Sequence, residues 1–165
     1  VAHDPAWLEQ HNITHILSCS DDGDGGEPTA TGIAHLSVKL SDHAGDGDQI
    51  REVLPSCFSF LQNAVEAGGV VLVHCAVGVS RSPAVVTAWL MHHEKLTLRD
   101  AFQRVRQEHA PAYPNLGLWF ALSDFEMESQ GTNSIPMEAF ELHAEVDVVE
   151  EEVEDGAEFI SDDDY

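Results

Sequence analysis

The chain has 165 residues, of which 30 are acidic and 7 are basic, and its formal net charge at pH 7 is -23. Residues 138–165 carry 13 acidic side chains and no lysine or arginine, while residues 1–137 still carry a net charge of -10. This balance argues against nucleic acid and against anionic membranes as partners, because both would repel an acidic surface. The length suits one domain followed by an acidic tail.

Cysteine content and hydropathy predict where the protein works. The sequence has three cysteines, no recognisable signal peptide and no apolar run long enough to span a membrane. Three cysteines do not suggest a disulfide framework, and a reactive thiol would need a reducing compartment. We therefore expect the cytosol, the nucleus or both.

The first forty residues predict one short helix and two strands. Asp4 and Pro5 have the pattern of an N-cap followed by proline at the first helical position, and the helix should continue through Gln10. Residues 13–18 are predicted to form a strand. Residues 33–40 alternate apolar and polar side chains, which is typical of a strand with one solvent-exposed face.

The middle of the chain predicts a long amphipathic helix. We expect Asp48 to be its N-cap and Gly68-Gly69 to end it. Cys57 lies in its apolar stripe and is predicted to be a core residue. The stripe has helical spacing and consists of Ile50, Val53, Leu54, Cys57, Phe58, Leu61, Ala64 and Val65.

Residues 70–82 carry the most informative pattern in the sequence. Four apolar residues from Val70 fit a buried strand, a short loop follows from Cys75, and a helix is predicted to open at Ser82 and Pro83. A tight loop between a strand and a helix N-terminus directs backbone N–H groups and the positive end of the helix dipole at one point. The pattern therefore predicts an anion site.

The side chains of this loop suit phosphoryl transfer. The same electrostatic field should lower the pKa of Cys75 and stabilise its thiolate, which is the nucleophilic form. Arg81 has a planar fork that can bind two phosphoryl oxygens at once. Ser82 could donate a hydrogen bond to the sulfur and assist its departure in a second step, or it could simply cap the helix. Gly78 would let the loop turn.

The run from His74 to Ser82 resembles the signature His-Cys-x-x-Gly-x-x-Arg-Ser/Thr of the dual-specificity branch of the cysteine-dependent protein tyrosine phosphatases. The resemblance implies an α/β fold with a mostly parallel central sheet flanked by helices. It also implies hydrolysis through a cysteinyl-phosphate without a metal or other cofactor. The implied phosphate-binding loop consists of Cys75, Ala76, Val77, Gly78, Val79, Ser80 and Arg81.

The resemblance also implies a general acid on the loop that follows the second strand. One carboxyl group there could protonate the leaving group and then deprotonate the attacking water. Asp42, in the context Leu-Ser-Asp-His, is the first candidate. Asp46 and Asp48 are alternatives because the loop is slightly longer than the family pattern, although Asp48 is read mainly as the N-cap of the next helix. A purely solvated acidic turn is a further alternative.

Two further residues are predicted to support the loop. His74 should order it through hydrogen bonds to the backbone, and the resemblance assigns a similar role to Asn115, at the start of the last helix. Cys19 is expected to be a buried structural thiol, with a resolving role for Cys75 as the alternative. The resemblance covers about Asp4 to Glu128. It also implies one more strand before the first helix, so we expect either that the given sequence starts after this strand or that the sheet lacks an edge strand.

The C-terminal part contains one basic helix and an acidic tail. Thr97 followed by Asp100 indicates a helix start, and Arg99, Arg104 and Arg106 give this helix its positive charge. Residues 1–130 are therefore predicted to form the catalytic domain and residues 131–165 a disordered tail. The tail could contact the basic helix and inhibit the enzyme, or it could simply add solubility.

The expected substrates are phosphotyrosine and phosphoserine or phosphothreonine in proteins. Ala76, Val77 and Val79 are apolar, whereas related enzymes that act on inositol phosphates tend to have lysines there, so a non-protein phosphoester is the second choice. A protein that binds phosphoproteins without turnover is a further alternative. Cys75, Arg81 and an available aspartate argue against it.

Overall fold

The computed structural model describes residues 4–21 and 32–135, and within these ranges it forms one parallel sheet with helices around it. The strands are β1, His15–Ser20; β2, Ala34–Lys39; and β3, Val71–His74. Their order is β2-β1-β3, so β1 is central. His15 pairs with Ala34 on one side and with Val71 on the other, and the strands end together at one edge of the sheet.

Among the described residues, five α-helices and one short 3-10 helix precede, connect or follow these strands. The 3-10 helix covers Ala44–Asp46, between β2 and the second α-helix. The α-helices are α1, Pro5–Gln10; α2, Gln49–Glu66; α3, Arg81–Glu94; α4, Leu98–Glu108; and α5, Leu116–Gln130. The predicted α/β architecture is confirmed.

Capping side chains explain where two of the helices begin. The carboxylate of Asp4 accepts hydrogen bonds from the amides of Ala6 and Trp7, and Pro5 occupies the first position of α1. Thr97 accepts from the amide of Asp100 at the start of α4. Both caps could be predicted from the sequence because each capping side chain accepts hydrogen bonds from backbone amides in the first turn of its own helix.

Helix α3 lies at the centre of the packing. It contacts α2, α4 and α5 as well as β1 and β3, and most of its side chains are buried. Thr87 is fully buried, and its hydroxyl donates to the carbonyl of Pro83 at 2.7 Å, so burial leaves no unpaired hydroxyl there. The fully buried apolar core includes Leu8, Leu17, Leu40, Ile50, Cys57, Ala84, Val85, Ala88, Leu98, Leu118 and Leu122.

Three local predictions differ from the structure. The first strand lies two residues later than the predicted 13–18, and α3 begins at Arg81 rather than at Ser82, which places Ser82 inside the helix and not at its N-cap. Asp48 does precede α2, but it has helical backbone angles and no capping hydrogen bond. The preceding 3-10 helix explains this, because its turn leads directly into α2 and leaves no extended N-cap residue.

The end of α5 is tied to the start of α4 by a buried carboxylate. Glu126 is fully buried, and its two oxygens accept from the amides of Leu98 and Ser134, each at 2.8 Å. Arg99 donates to the carbonyl of Ser134 at 2.9 Å. The first residues of the predicted tail therefore contact the start of the basic helix α4. The predicted tail from residue 136 onward lies outside the described residues. None of the described helices is both long enough and apolar enough to cross a membrane.

Candidate active site

The site forms at the edge of the sheet where the three parallel strands end. Asp21 follows β1, Asp42 lies three residues after β2, and Cys75 follows β3. Because the carboxyl ends of parallel strands meet at one edge, residues distant in sequence come together here. Sequence reasoning identified Asp42 and Cys75 and missed Asp21.

The Cys75 sulfur lies within the loop that precedes α3 and receives hydrogen bonds from it. Gly78 N–H donates to Sγ at 3.3 Å, and the hydroxyl of Ser82 lies 3.2 Å from Sγ. A thiolate can only accept, so the Ser82 hydroxyl donates when Cys75 is ionised. Gly78 has φ +81°, a conformation that a side chain would strain.

The environment of Cys75 favours its charged form. Burial raises the pKa of the thiol, but hydrogen bonds from the hydroxyl and amide of Ser82, the amide of Gly78 and the charge of Arg81 outweigh burial. The net result is a pKa of Cys75 below its ordinary value of 9.0. A thiolate is therefore more abundant at neutral pH than in a free cysteine, as predicted.

Hydrogen bonds on the outside of the loop orient its peptide groups. The Nε2 atom of His109 donates to the Gly78 carbonyl at 2.8 Å, and the amide of Tyr113 donates to the Val79 carbonyl at 2.7 Å. In a trans peptide the C=O and the next N–H point in opposite directions. The N–H groups of Val79 and Ser80 are therefore directed to the opposite side, as an anion site requires.

Arg81 is buried beside this loop with part of its hydrogen-bonding capacity unused. Its side chain is 5% exposed. One terminal nitrogen, Nη1, donates to Asp21 Oδ1 at 3.1 Å and to the Leu40 carbonyl at 3.4 Å. Nε is buried without a hydrogen-bond partner, and Asp42 Oδ2 lies 3.7 Å from it. An unpaired buried donor of this kind lowers the stability of the fold unless a ligand accepts its hydrogen bond.

Asn115 connects the loop of Asp42 to the loop of Cys75. Its Nδ2 donates to the carbonyl of Asp42 at 2.8 Å and to Oδ1 of Asp42 at 3.1 Å. Its backbone N–H donates to the hydroxyl of Ser80 at 3.1 Å, and its Oδ1 caps α5 by accepting from the amide of Leu118. Asn115 therefore contacts the Cys75 loop through its backbone and the Asp42 loop through its side chain.

Close backbone contact holds the Asp42 loop against α5. A Cβ on Gly117 would lie 1.9 Å from the carbonyl oxygen of Ala44, and a Cβ on Gly47 would lie 2.2 Å from the backbone of Gly117. Only glycine fits at both positions. Asp46 and Asp48 have no hydrogen bond or ion pair with the Cys75 loop in the part of the chain that the structure describes, so the geometry favours Asp42 as the acid.

His74 is anchored to the sheet by a side-chain hydrogen bond. Its Nε2 lies 2.7 Å from the hydroxyl of Ser18, and the same hydroxyl lies 2.9 Å from Nε2 of His35. Ser18 is buried and has one proton, so one imidazole donates to it and the other accepts. This chain across the three strands fixes the residue that precedes Cys75.

The other two cysteines are buried thiols with unfavourable ionisation. Burial, followed by the neighbouring thiols of Cys57 and Cys75, raises the pKa of Cys19, although Arg81 opposes this shift. Burial raises the pKa of Cys57 to about 11. Cys57 is a core residue as predicted, and Cys19 is fully buried beside the end of β3, which agrees with the expected structural role. Within the described ranges, no group of three or more His, Cys, Asp or Glu side chains could hold a metal ion.

Asp21, His109 and Tyr113 are site residues that sequence reasoning missed. Asp21 could have been found from its position shortly after the predicted strand 13–18, because the segment after that strand lies at the same edge of the sheet as Cys75. His109 and Tyr113 act on loop carbonyls from a segment about thirty residues away, and no local pattern marks them.

Comparison with known proteins now identifies the family. Residues 1–128 match the family model described as dual specificity phosphatase, catalytic domain. The chain belongs to this family. Human dual specificity phosphatase 28 is 40% identical over 128 residues, which are 78% of this chain and 70% of the human protein. The mouse protein of the same name is 39% identical over 131 residues, covering 79% of this chain and 78% of its own.

Solved structures of the family share the fold. The crystal structure of human DUSP28 superimposes with a TM-score of 0.70 at 36% identity, covering 78% of this chain and 84% of the human one. A mouse putative dual specificity phosphatase complexed with zinc tungstate gives a TM-score of 0.71 at 36% identity, with 79% of each chain covered. The chain is therefore a protein phosphatase with the fold predicted from its sequence.

Proposed function

We propose that this phosphatase hydrolyses phosphotyrosine and phosphoserine or phosphothreonine in proteins through a cysteinyl-phosphate on Cys75. The observation that carries the proposal is the polarised sulfur, which accepts from Gly78 and Ser82 beside a buried arginine with an unpaired Nε. A phosphate dianion would accept hydrogen bonds from that arginine and from the backbone amides of the loop. The family membership of the chain agrees with this chemistry.

The first step transfers the phosphoryl group to sulfur. The Cys75 thiolate attacks phosphorus, the bond from phosphorus to the substrate oxygen breaks, and the protonated Asp42 gives its proton to that oxygen. Arg81 and the loop amides bind the phosphoryl oxygens as charge moves onto them. Asp42 is close enough to serve, because its Oδ2 lies 3.7 Å from Arg81 Nε.

The second step releases inorganic phosphate. Asp42, now ionised, accepts a proton from a water molecule as that water attacks the phosphorus of the cysteinyl-phosphate. The bond from sulfur to phosphorus breaks, and the hydrogen bond from Ser82 stabilises the departing thiolate. One carboxyl group thereby acts as acid in the first step and as base in the second.

The surroundings of the loop favour a protein substrate over an inositol phosphate. Val77 is 80% exposed, and the loop residues Ala76 and Val79 are also apolar. This rim offers no lysine that would bind further phosphate groups on a polyphosphorylated substrate. An apolar rim suits the side chains that flank a single phosphorylated residue.

The experiment compares this chain with Cys75→Ser in hydrolysis of an aryl phosphate, with and without EDTA. We expect hydrolysis to require Cys75 and to be unaffected by the chelator. We also expect a phosphorylated form of the protein to accumulate when the unchanged chain is mixed with substrate, and not when Cys75→Ser is used. Turnover by the serine variant would overturn the mechanism, as would loss of activity with EDTA. Binding of phosphopeptides without hydrolysis would instead favour a non-catalytic phosphoprotein-binding role.

We further propose that the protein acts in the cytosol, the nucleus or both, with phosphoproteins and not nucleic acids or membranes as partners. A thiolate nucleophile needs a reducing compartment, and the net charge of -23 disfavours polyanions. Localisation of the tagged full chain in cells tests the compartment. A filter-binding assay with DNA and RNA tests whether nucleic acids bind.

A further inference from the structure

The acidic residue that follows β1 contacts the site but has no role in the two steps above. Asp21 Oδ1 accepts from Nη1 of Arg81 at 3.1 Å and from the backbone amide of Asp42 at 3.2 Å. One carboxylate oxygen thus touches both the phosphate-binding arginine and the backbone of the proposed acid. Asp21 itself is solvent-exposed, with 69% of its side chain accessible.

The contacts of Arg81 divide its guanidinium into a used and an unused side. The two described acceptors, Asp21 Oδ1 and the Leu40 carbonyl, both lie on Nη1. The side formed by Nε and Nη2 has no described hydrogen bond, and Nε is buried. This side is one of the two forks through which a guanidinium binds a phosphoryl group with two parallel hydrogen bonds.

From this division we infer that Asp21 is a positioning residue, which holds Nη1 so that the fork of Nε and Nη2 faces the phosphoryl group. This inference rests on the proposed function, since it assumes that Arg81 binds the substrate phosphate. A change in the last side-chain torsions of Arg81 would break the contacts of Nη1 with Asp21 and Leu40. Asp21 therefore reduces the number of orientations that Arg81 must give up when phosphate binds.

The same contacts couple the two loops of the site. Asp21 accepts a hydrogen bond from the Asp42 backbone amide and from Arg81, while Asp42 Oδ2 lies 3.7 Å from Arg81 Nε, so each of the three residues contacts the other two. When phosphate binds to Nε, the carboxylate of Asp42 must move from that position toward the leaving group. The contact between Asp21 and the Asp42 backbone can remain in place during this movement, because it does not involve the Asp42 carboxylate.

The test compares Asp21→Ala with Asp21→Asn. Alanine removes the acceptor, whereas asparagine retains an oxygen for Nη1 and removes only the charge. We expect Asp21→Ala to lower kcat/KM for an aryl phosphate by about tenfold and to weaken competitive inhibition by inorganic phosphate and by tungstate to a similar extent. Asp21→Asn should retain most of both. Asp124→Ala, an exposed carboxylate on α5, is the matched control and should leave both unchanged.

A double variant decides whether Asp21 acts through the arginine. In an Arg81→Lys background the fork is absent, and adding Asp21→Ala should cause no further loss. If Asp21→Ala behaves like Asp124→Ala, or if its effect is the same in the Arg81→Lys background, the inference is wrong. The phosphoenzyme assay with Cys75→Ser is independent of these variants, so failure of the mechanism and failure of this inference are distinguishable.

Discussion

The two loops of the active site are built in different ways. The loop from Cys75 to Arg81 connects a strand directly to a helix, and two donors to the sulfur, Gly78 and Ser82, lie within seven residues of Cys75. The loop of Asp42 obtains its position from elsewhere, through Asn115, Asp21 and the contact of Gly117 with Ala44. The sulfur of the proposed nucleophile thus receives its hydrogen bonds from nearby residues, although His109 and Tyr113 bind carbonyls of its loop. The proposed acid is positioned by tertiary contacts.

This difference predicts that the two loops can be impaired separately. The largest effect is expected for the acid itself. Asp42→Asn should slow hydrolysis of a phosphoserine peptide by about a hundredfold, because a general acid contributes at least that factor when the leaving group is poor. An aryl phosphate with an acidic phenol should be slowed far less, since its leaving group needs no proton.

Asp46→Asn is the matched control for this variant. It makes the same change in the same loop, and Asp46 is exposed. Steady-state rates with both substrates check the prediction. Equal slowing of the two substrates by Asp42→Asn would move the acid elsewhere, and a leaving-group-dependent loss in Asp46→Asn would assign it to that residue.

A smaller effect is expected when the contact beneath the Asp42 loop is disturbed. The added Cβ of Gly117→Ala would lie 1.9 Å from the Ala44 carbonyl oxygen, so the loop must shift. We expect a loss of roughly 1–3 kcal/mol in the free energy of unfolding, the usual cost of overpacking. Hydrolysis of the phosphoserine peptide should also slow, while alkylation of Cys75 by iodoacetate should be unchanged.

Denaturant unfolding and alkylation rates test this second prediction. Asp124→Ala introduces the same residue at an exposed position of the same helix and serves as the control. Unchanged stability and activity in Gly117→Ala would show that the loop does not depend on the close approach. A parallel loss of Cys75 reactivity would show that the two loops are not separable.

The smallest effect is expected from a change beside the Cys75 loop, at Ser82 in the first turn of α3. Ser82→Ala removes a donor that lies 3.2 Å from Sγ and helps to lower the pKa of Cys75. A lowered pKa means that the thiolate persists to lower pH, so loss of the donor should move the midpoint of iodoacetate labelling to higher pH. Breakdown of the cysteinyl-phosphate should also become slower.

Labelling across pH, read by mass spectrometry of the Cys75 peptide, measures this shift. Ser129→Ala, whose described hydroxyl hydrogen bonds go to the carbonyls of Phe125 and Glu126 within α5, is the control. Cys19 and Cys57 should remain unlabelled in all folded variants, since both are buried and their pKa values are raised. An unmoved midpoint in Ser82→Ala would remove Ser82 from the stabilisation of the thiolate.

Much of the architecture could be predicted, and the failed prediction for Asp48 has an identifiable cause. Asp4 and Thr97 were recognised as caps because each satisfies donors within its own turn, and Cys57 was placed in the core by helical spacing. Asp48 was wrongly predicted to cap α2, because the 3-10 helix in front of it could not be foreseen from the residues. Local signals are reliable where no neighbouring element competes with them.

The sequence by itself determined the strand, loop and helix that surround Cys75, because the hydrogen bonds to its sulfur come from residues three and seven positions away. Only the tertiary structure decided which acidic residues reach Arg81. Asp21 and Asp42 lie 60 and 39 residues before it, and they meet it because the three parallel strands end at one edge of the sheet. Contacts across such distances depend on register and topology, which no short sequence motif encodes.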